Sequence, residues 1–367
     1  MNLLRLAAAA VIMVAASTSP LVLQAEDRPP SIRIGLPTVG VGGKPYIGGT
    51  VVATVHGKQL LEQVFGPLGI AIEWSLNKGA GPVVNEQLAN HQVDFACYGD
   101  LAAIIGKGVG IRSKVLLAGG RGANIYLAVR ADSPFHAFND LLGKRLVVFK
   151  GTAIQLLASR LLAQRGLGEA DFRSVVLDTT AAIPALLAGD VDAAWGVSTI
   201  LEFVQRGDLR VVASSRDAPP AADQLRPTYA NVLVVDEDFA ARYPSIVQQV
   251  VTIFVREAAW ASDEANRDEA FRLWARSGTP EAVYRQDFDG DTLASRNSPL
   301  LDPGFRAAFQ ASIDRAREFK LVRAPVDCAT WIDDHFLDTS LRELSLVDHW
   351  APTDALGHPL AVMHPAH

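Results

Sequence analysis

Val93-Asp94-Phe95-Ala96-Cys97-Tyr98-Gly99 and Val191-Asp192-Ala193-Ala194-Trp195-Gly196 follow one plan, about 98 residues apart. In each, a helical pattern gives way to a turn with Asp, a short apolar strand, then an aromatic residue and Gly at the strand's carboxyl end. Helix–turn–strand is common in α/β chains, so the recurrence is evidence of topology rather than of a sequence repeat. Upstream of the first copy, Ser31-Ile-Arg-Ile-Gly-Leu36 and Ala71-Ile-Glu-Trp-Ser-Leu76 read as strands. A Gly-rich stretch at 39–49 and a helix over 50–64 separate them, and Pro82 opens the next helix. Strands follow at 115–118 and 125–129, and the pattern restarts at Leu146-Val-Val-Phe149. A Pro-rich connection at 217–227 precedes a strand at 231–235. Beyond residue 243 the chain reads as helical, over 246–261, 268–276, 305–319 and 328–336. The organisation is therefore α/β in two lobes. Residues 31–125 open the first, 126–225 form the second, 226–345 return to the first with C-terminal helices, and 346–367 are an aperiodic tail.

Composition agrees with two packed units. The chain has 367 residues, 49% of them hydrophobic, with a mean hydropathy of +0.16, enough for a core in each lobe. Lys and Arg number 34 against 40 Asp and Glu, with no basic run, which argues against a nucleic-acid partner. Two cysteines exclude a disulfide scaffold and a four-thiolate zinc site. Whether Cys97 and Cys328 form a single bridge is left open, because cysteine is commonly a small buried hydrophobe.

The first 25 residues read as a signal peptide. Arg5 supplies the positive region, residues 6–16 form an apolar run of eleven, and Leu23-Gln24-Ala25 precedes Glu26. That run is shorter than the roughly 20 residues a spanning helix needs, so cleavage after Ala25 and export are expected, with Ala16-Ser17 the other cleavage point. Removal takes only Arg5 from the basic residues and leaves the exported chain one unit more acidic than −6. The expected product is soluble and exported.

Several strand ends run into Gly, a capping residue and a helix: Gly79-Ala80-Gly81-Pro82, Gly99-Asp100, Lys150-Gly151-Thr152-Ala153 and Thr179-Thr180. In open α/β sheets these turns converge on the ligand crevice, and their unpaired N–H groups suit an anion. Thr152 with Gln155 fits a capping box, and Asp100 reads as a cap turned from the ligand. Asn124, with Lys150 or Arg121, would add side-chain donors, while Tyr46, Tyr98, Tyr126 and Trp195 are candidate pocket walls. Phosphate-loop, nucleophile-elbow and His-Glu-x-x-His motifs do not occur. No catalytic residue, metal ligand or cofactor is expected. Of eight His, four lie in the C-terminal segment, and His56 and His91 read as surface residues.

Lys78-Gly-Ala-Gly-Pro-Val-Val-Asn-Glu86, Asp94 to Asp100, Asp140-Leu-Leu-Gly-Lys-Arg145, Lys150-Gly-Thr152 and Gly189-Asp-Val-Asp-Ala-Ala194 occur in order. Together they resemble the periplasmic substrate-binding proteins of nitrate/taurine/alkanesulfonate ABC importers, over about residues 31–340. The resemblance implies a two-lobe periplasmic-binding-protein type II fold that closes on an anion in the cleft between its lobes and delivers it to a membrane permease. The implied ligand contacts are the first turn, Val39 to Tyr46 with Lys44, then Ala80, Gly81, Pro82, Gly99, Asp100, Gly151, Thr152, Trp195 and Gly196, and the reading of the helix starts, donors and walls adds Tyr98, Asn124, Lys150 and Ala153. Many members carry a Trp-Asp-Pro-Tyr-like turn where this chain has Trp195-Gly-Val-Ser-Thr199. With the long Gly-rich first turn, this departure points to a sulfonate or sulfate ester bulkier than taurine. The other readings are a binder of nitrate or a thiamin pyrimidine precursor, a periplasmic sensor component, and an enzyme of the same fold.

Overall fold

The computed structural model describes residues 28–218 and 228–360. The signal-like segment, most of the Pro-rich connection and residues 361–367 lie outside them. Strand β1 (Ser31–Leu36) leads through α1 (Val51–Gly57) and α2 (Leu60–Phe65) to β2 (Ala71–Leu76). Then come α3 (Ala80–Ala89), β3 (Phe95–Gly99), α4 (Asp100–Gly108) and β4 (Ser113–Ala123). The next stretch holds β5 (Tyr126–Arg130), β6 (Arg145–Val148), α5 (Ala153–Ala163), β7 (Arg173–Val176), α6 (Ala182–Ala188), β8 (Ala193–Gly196), α7 (Ile200–Gln205) and β9 (Leu209–Ser214). Strand β10 (Tyr229–Asp236) precedes α8 (Glu237–Arg242), α9 (Pro244–Ser262), α10 (Arg267–Trp274) and α11 (Glu281–Asp287). The last helices are α12 (Leu293–Asn297), α13 (Pro303–Glu318), α14 (Cys328–Trp331) and α15 (His335–Glu343).

Two five-stranded sheets result, ordered β2-β1-β3-β10-β4 and β7-β6-β8-β5-β9. They share one plan. The first strand lies between two parallel partners, and an antiparallel strand is then inserted before the outermost one. That inserted strand, β10 in one sheet and β5 in the other, comes from beyond the lobe's own β-α-β run. The chain crosses between lobes at Asn124 and Ile125, and again between β9 and β10.

The recurring Asp has a structural reason. Asp94 accepts from the Arg33 backbone N–H (2.8 Å), its Nε (3.1 Å) and its Nη2 (2.5 Å). Asp192 accepts from the same three positions of Arg145, at 2.8, 3.1 and 2.8 Å. In each lobe the turn before the third strand is thus clamped to the start of the first, setting the register of a parallel pair that no hairpin can set.

Several expectations are corrected. The helix read over 50–64 breaks at Gln59, whose φ is +55°, where Lys58 turns to Glu257 (2.8 Å) and lies over the Trp260 ring. The helix read over 328–336 divides into α14 and α15. Both cysteines are buried and free. The start of the tail is docked: Trp350 is buried and donates to Ser262 (2.9 Å), and Thr353 donates its hydroxyl to Asp302 (3.0 Å). No described helix is long and apolar enough to cross a membrane.

Helix α11, absent from the sequence reading, joins the lobes. Tyr284 packs with Phe271 and Trp274 in the first core, ring centroids 5.7–6.1 Å apart, whereas its neighbour Val283 belongs to the second core. Gln205 of α7 donates to Gln286 (2.8 Å) on the same helix.

Asp94→Ala should cost about 2 kcal/mol in urea denaturation, because it strands a backbone N–H and a half-buried guanidinium. Asp192→Ala should cost less, since its pair is the more exposed one (19% and 42%, against 5% and 34%).

Candidate functional site

Between the sheets lies a cavity of about 700 Å³, within the range of small-molecule sites. It sits where the carboxyl ends of the parallel strands meet. The first lobe contributes the Gly-rich turn after β1, Lys78 after β2, and the starts of α3 and α4. The second contributes Thr152 and Ala153 after β6, Thr179 and Thr180 after β7, and Val197, Ser198 and Thr199 after β8.

Six of the expected contacts line this cavity: Ala80, Gly81, Gly99, Asn124, Thr152 and Ala153. The other nine stand outside it. Tyr98 is buried and donates to Asn85 Oδ1 (3.1 Å), and Trp195 points into the second core, where β8 pairs with β5. Tyr46 accepts from Arg276 (2.7 Å), and the Lys44 carbonyl closes the Gly-rich turn on the Gly40 N–H (2.8 Å). Pro82 lies against Gly151, Gly196 against Ile200, and Lys150 is exposed outside the cleft. The Gly151 N–H is spent on Gln155 Oε1 (2.8 Å). Asp100 is buried, accepting from Leu101 N–H (2.7 Å) and Ser312 Oγ (3.0 Å).

Thr152 lines the cavity, but its hydroxyl donates to the Phe149 carbonyl (2.7 Å), so the expected hydrogen bond from that hydroxyl to a ligand has no free proton. Its oxygen also accepts from Gln155 N–H (3.4 Å), whereas the Gln155 side chain serves Gly151 rather than closing a capping box. Sequence reasoning missed the wall from the C-terminal segment: Ser277, Thr279, Tyr284, Asp287, Phe288 and Arg296. It also left out Thr50, whose buried hydroxyl has no partner among the described residues.

Asp287 gathers both crossings. Its carboxylate accepts from Asn124 Nδ2 (3.3 Å) and Tyr126 Oη (2.6 Å) on the first crossing, and from Arg296 (2.9 Å). Its carbonyl accepts from Arg216 (2.5 Å), just beyond β9. Burial, with the negative Asp287 beside it, pushes the Tyr126 phenol well above its usual range. The pocket arginines are therefore neutralised: Arg296 by Asp287 and Asp291, and Arg121 by Asp302 (2.9 Å). Lys78 makes no ion pair among the described residues. Across the cleft, Asp178 is held below the usual carboxylate range, first by the Thr180 hydroxyl (2.6 Å) and in part by the charge of Lys78.

The glycines at the helix starts serve the meeting of the lobes. A Cβ on Gly99 would stand 2.6 Å from the Cβ of Ala153, and one on Gly151 would stand 3.1 Å from Pro82. Gly151 also has a φ of +75°, which a side chain would strain. Beneath this seam, burial pushes the Asp100 carboxyl up to about 6, against the pull of Ser312, Leu101 and the Arg160 charge from α5.

A model of the NMT1/THI5 like family matches residues 68–267, more than half of the sequence. The chain belongs to that family. Its fold is the two-lobe periplasmic-binding-protein fold. The periplasmic sulfonate-binding protein SsuA of Methylobacillus flagellatus KT is 28% identical with a TM-score of 0.71, over 88% of this chain and 97% of that one. The alkanesulfonate-binding SsuA of Xanthomonas axonopodis pv. citri, bound to MOPS, is 24% identical with a TM-score of 0.68, over 83% and 99%. The fold also carries an enzyme: the desulfurization enzyme DSZB is 20% identical, with a TM-score of 0.61 over 85% and 99%. No curated protein matches the sequence.

Asp100 gives the seam between the lobes a pH signature. With a folded pKa near 6 against an ordinary 3.8, the folded state binds the extra proton between those values, so this group's contribution to stability falls as pH rises from about 4 to 6. Asp100→Asn should flatten that limb in thermal melts, gaining about 2 kcal/mol at pH 7.5 relative to pH 4.

Proposed function

We propose that this chain is an extracytoplasmic solute-binding protein that captures an organic oxyanion, a sulfonate or sulfate ester, for an ABC importer. The observation that carries the reading is the cavity itself. It lies between two lobes joined by two chain crossings, and its lining combines apolar groups, hydroxyls and helix starts with arginines already paired to carboxylates and one lysine, Lys78, unpaired among the described residues. The likeness to sulfonate-binding SsuA proteins supports the same reading.

The anion would meet neutral donors and one cation, Lys78, on the lining. The starts of α3 and α5 face the cavity from opposite lobes, so their dipoles add as the lobes close, and the Thr50 hydroxyl lies on the same lining. Lys78 supplies the charge that the paired arginines do not. Donors already oriented by helices lose little entropy on binding. Export to the periplasm, action as a monomer and handover to a permease belong to this reading.

Turnover is the competing idea, since an enzyme shares the fold. Cys97 lines the cavity, but burial pushes its thiol up to about 12, far from the thiolate that nucleophilic chemistry uses. The chemistry of the lining favours capture without reaction.

A thermal-shift panel of sulfonates, sulfate esters, nitrate and thiamin pyrimidines tests the assignment. A ligand present at 100 times its Kd should stabilise by about 2.7 kcal/mol, while panels in which only pyrimidines shift the melt would reject it. Lys78→Gln should weaken the best sulfonate about two- to fivefold by calorimetry, the size of an exposed charge contact.

A further inference from the structure

Both lobes line the cavity with polar and apolar groups, and one apolar part of the second lobe's wall is informative. Helix α6 reads Ala-Ile-Pro-Ala-Leu-Leu-Ala and carries no polar side chain. Ala182 and Leu186 fill the second core, as one stripe of a helix should. Ile183, Pro184 and Leu187 form another stripe, and that one lines the cavity, with Leu187 37% exposed. Val197 and Phe203 from the β8–α7 segment extend the same wall. A cleft-facing helix surface solvated by water would be polar, so an apolar stripe there is built to meet something apolar.

Volume says what the occupant must be. At about 30 Å³ for each water, about 700 Å³ corresponds to more than twenty waters. A two-carbon sulfonate would leave most of that space wet and the α6 wall uncovered. Cavities of this size bury drug-sized ligands.

Resting on the anion-binding reading above, we infer that the ligand is amphiphilic. It is one molecule with an anionic sulfonate or sulfate head and a bulky apolar body, alkyl of about eight carbons or fused aromatic. The head meets the first lobe near Lys78 and Thr50, and the body lies on the α6 wall of the second. Ile183 and Leu187 are then specificity-determining residues: they select for the length of the body and leave the head alone.

The test is a calorimetric titration of the full exported chain with ethane-, butane-, hexane- and octanesulfonate, each below its micelle concentration, plus octyl sulfate and naphthalenesulfonate. Affinity is expected to rise about fourfold for each added methylene, the factor that follows from burying one in an apolar site. In the double variant Ile183→Thr and Leu187→Ser, that factor should fall below about twofold while the affinity for butanesulfonate changes little. Both positions reach the cavity surface, so the variant should fold, and its melting curve checks this. Equal affinity for ethane- and octanesulfonate would overturn the amphiphile inference and leave anion capture standing. An unaltered chain-length factor in the folded double variant would remove the α6 wall from the site. Failure of every sulfonate and sulfate ester to bind would overturn the anion reading, and the inference with it.

Discussion

A buried carboxylate–guanidinium pair, Asp287 with Arg296, holds this molecule together at its waist. Each side chain is only 7% exposed, so neither charge is tolerable without the other. The aspartate does more than balance charge. Through Asn124 and Tyr126 it fixes the first crossing, and through its carbonyl and Arg216 it fixes the chain beyond β9. One residue at the end of a short helix thus ties both crossings, and with the α11 packing and the glycine seam it sets the placement of the lobes around the cavity.

The lobe architecture was legible because the signals repeat. Asp94 and Asp192 stand at matching points, and the strands that follow them are short apolar runs ending in Gly. The partners of those aspartates were not legible. Arg33 and Arg145 lie about sixty and fifty residues away and look like ordinary strand residues until the sheets form. The same holds for the waist: α11 and α12 are short, and what makes their residues important is contact with chain more than 70 positions distant. Periodicity reports local faces, and it does not report which distant face they meet.

For the cavity, the sequence signalled where helices begin but not which starts remain open. Gly81, Thr152 and Ala153 line it, whereas Gly151 is occupied by its own helix and Asp100 is buried beneath the seam. The aromatic residues misled most. Tyr98 and Trp195 close their strands beside the crevice, yet strand alternation turns both into the cores. The apolar cleft face of α6 was visible as a helix without a polar side, a pattern that reads as burial until the cavity beside it is seen.

The insertion of β10 between β3 and β4 has a consequence for how the chain assembles. The second lobe is one continuous stretch, with all its strands between Tyr126 and Ser214, so its pairings close within the lobe, the widest joining Tyr126 to Ser214. The first lobe cannot. Until β10 arrives, β3 and β4 are unpaired along facing edges, an open slot in the middle of a sheet rather than at its rim. Closing that slot means joining segments more than 100 positions apart, which is slow for an unstructured chain. A folded second lobe draws its own ends together and shortens the effective loop. Order of assembly is thereby written into the topology: the inner lobe first, then the outer one around it.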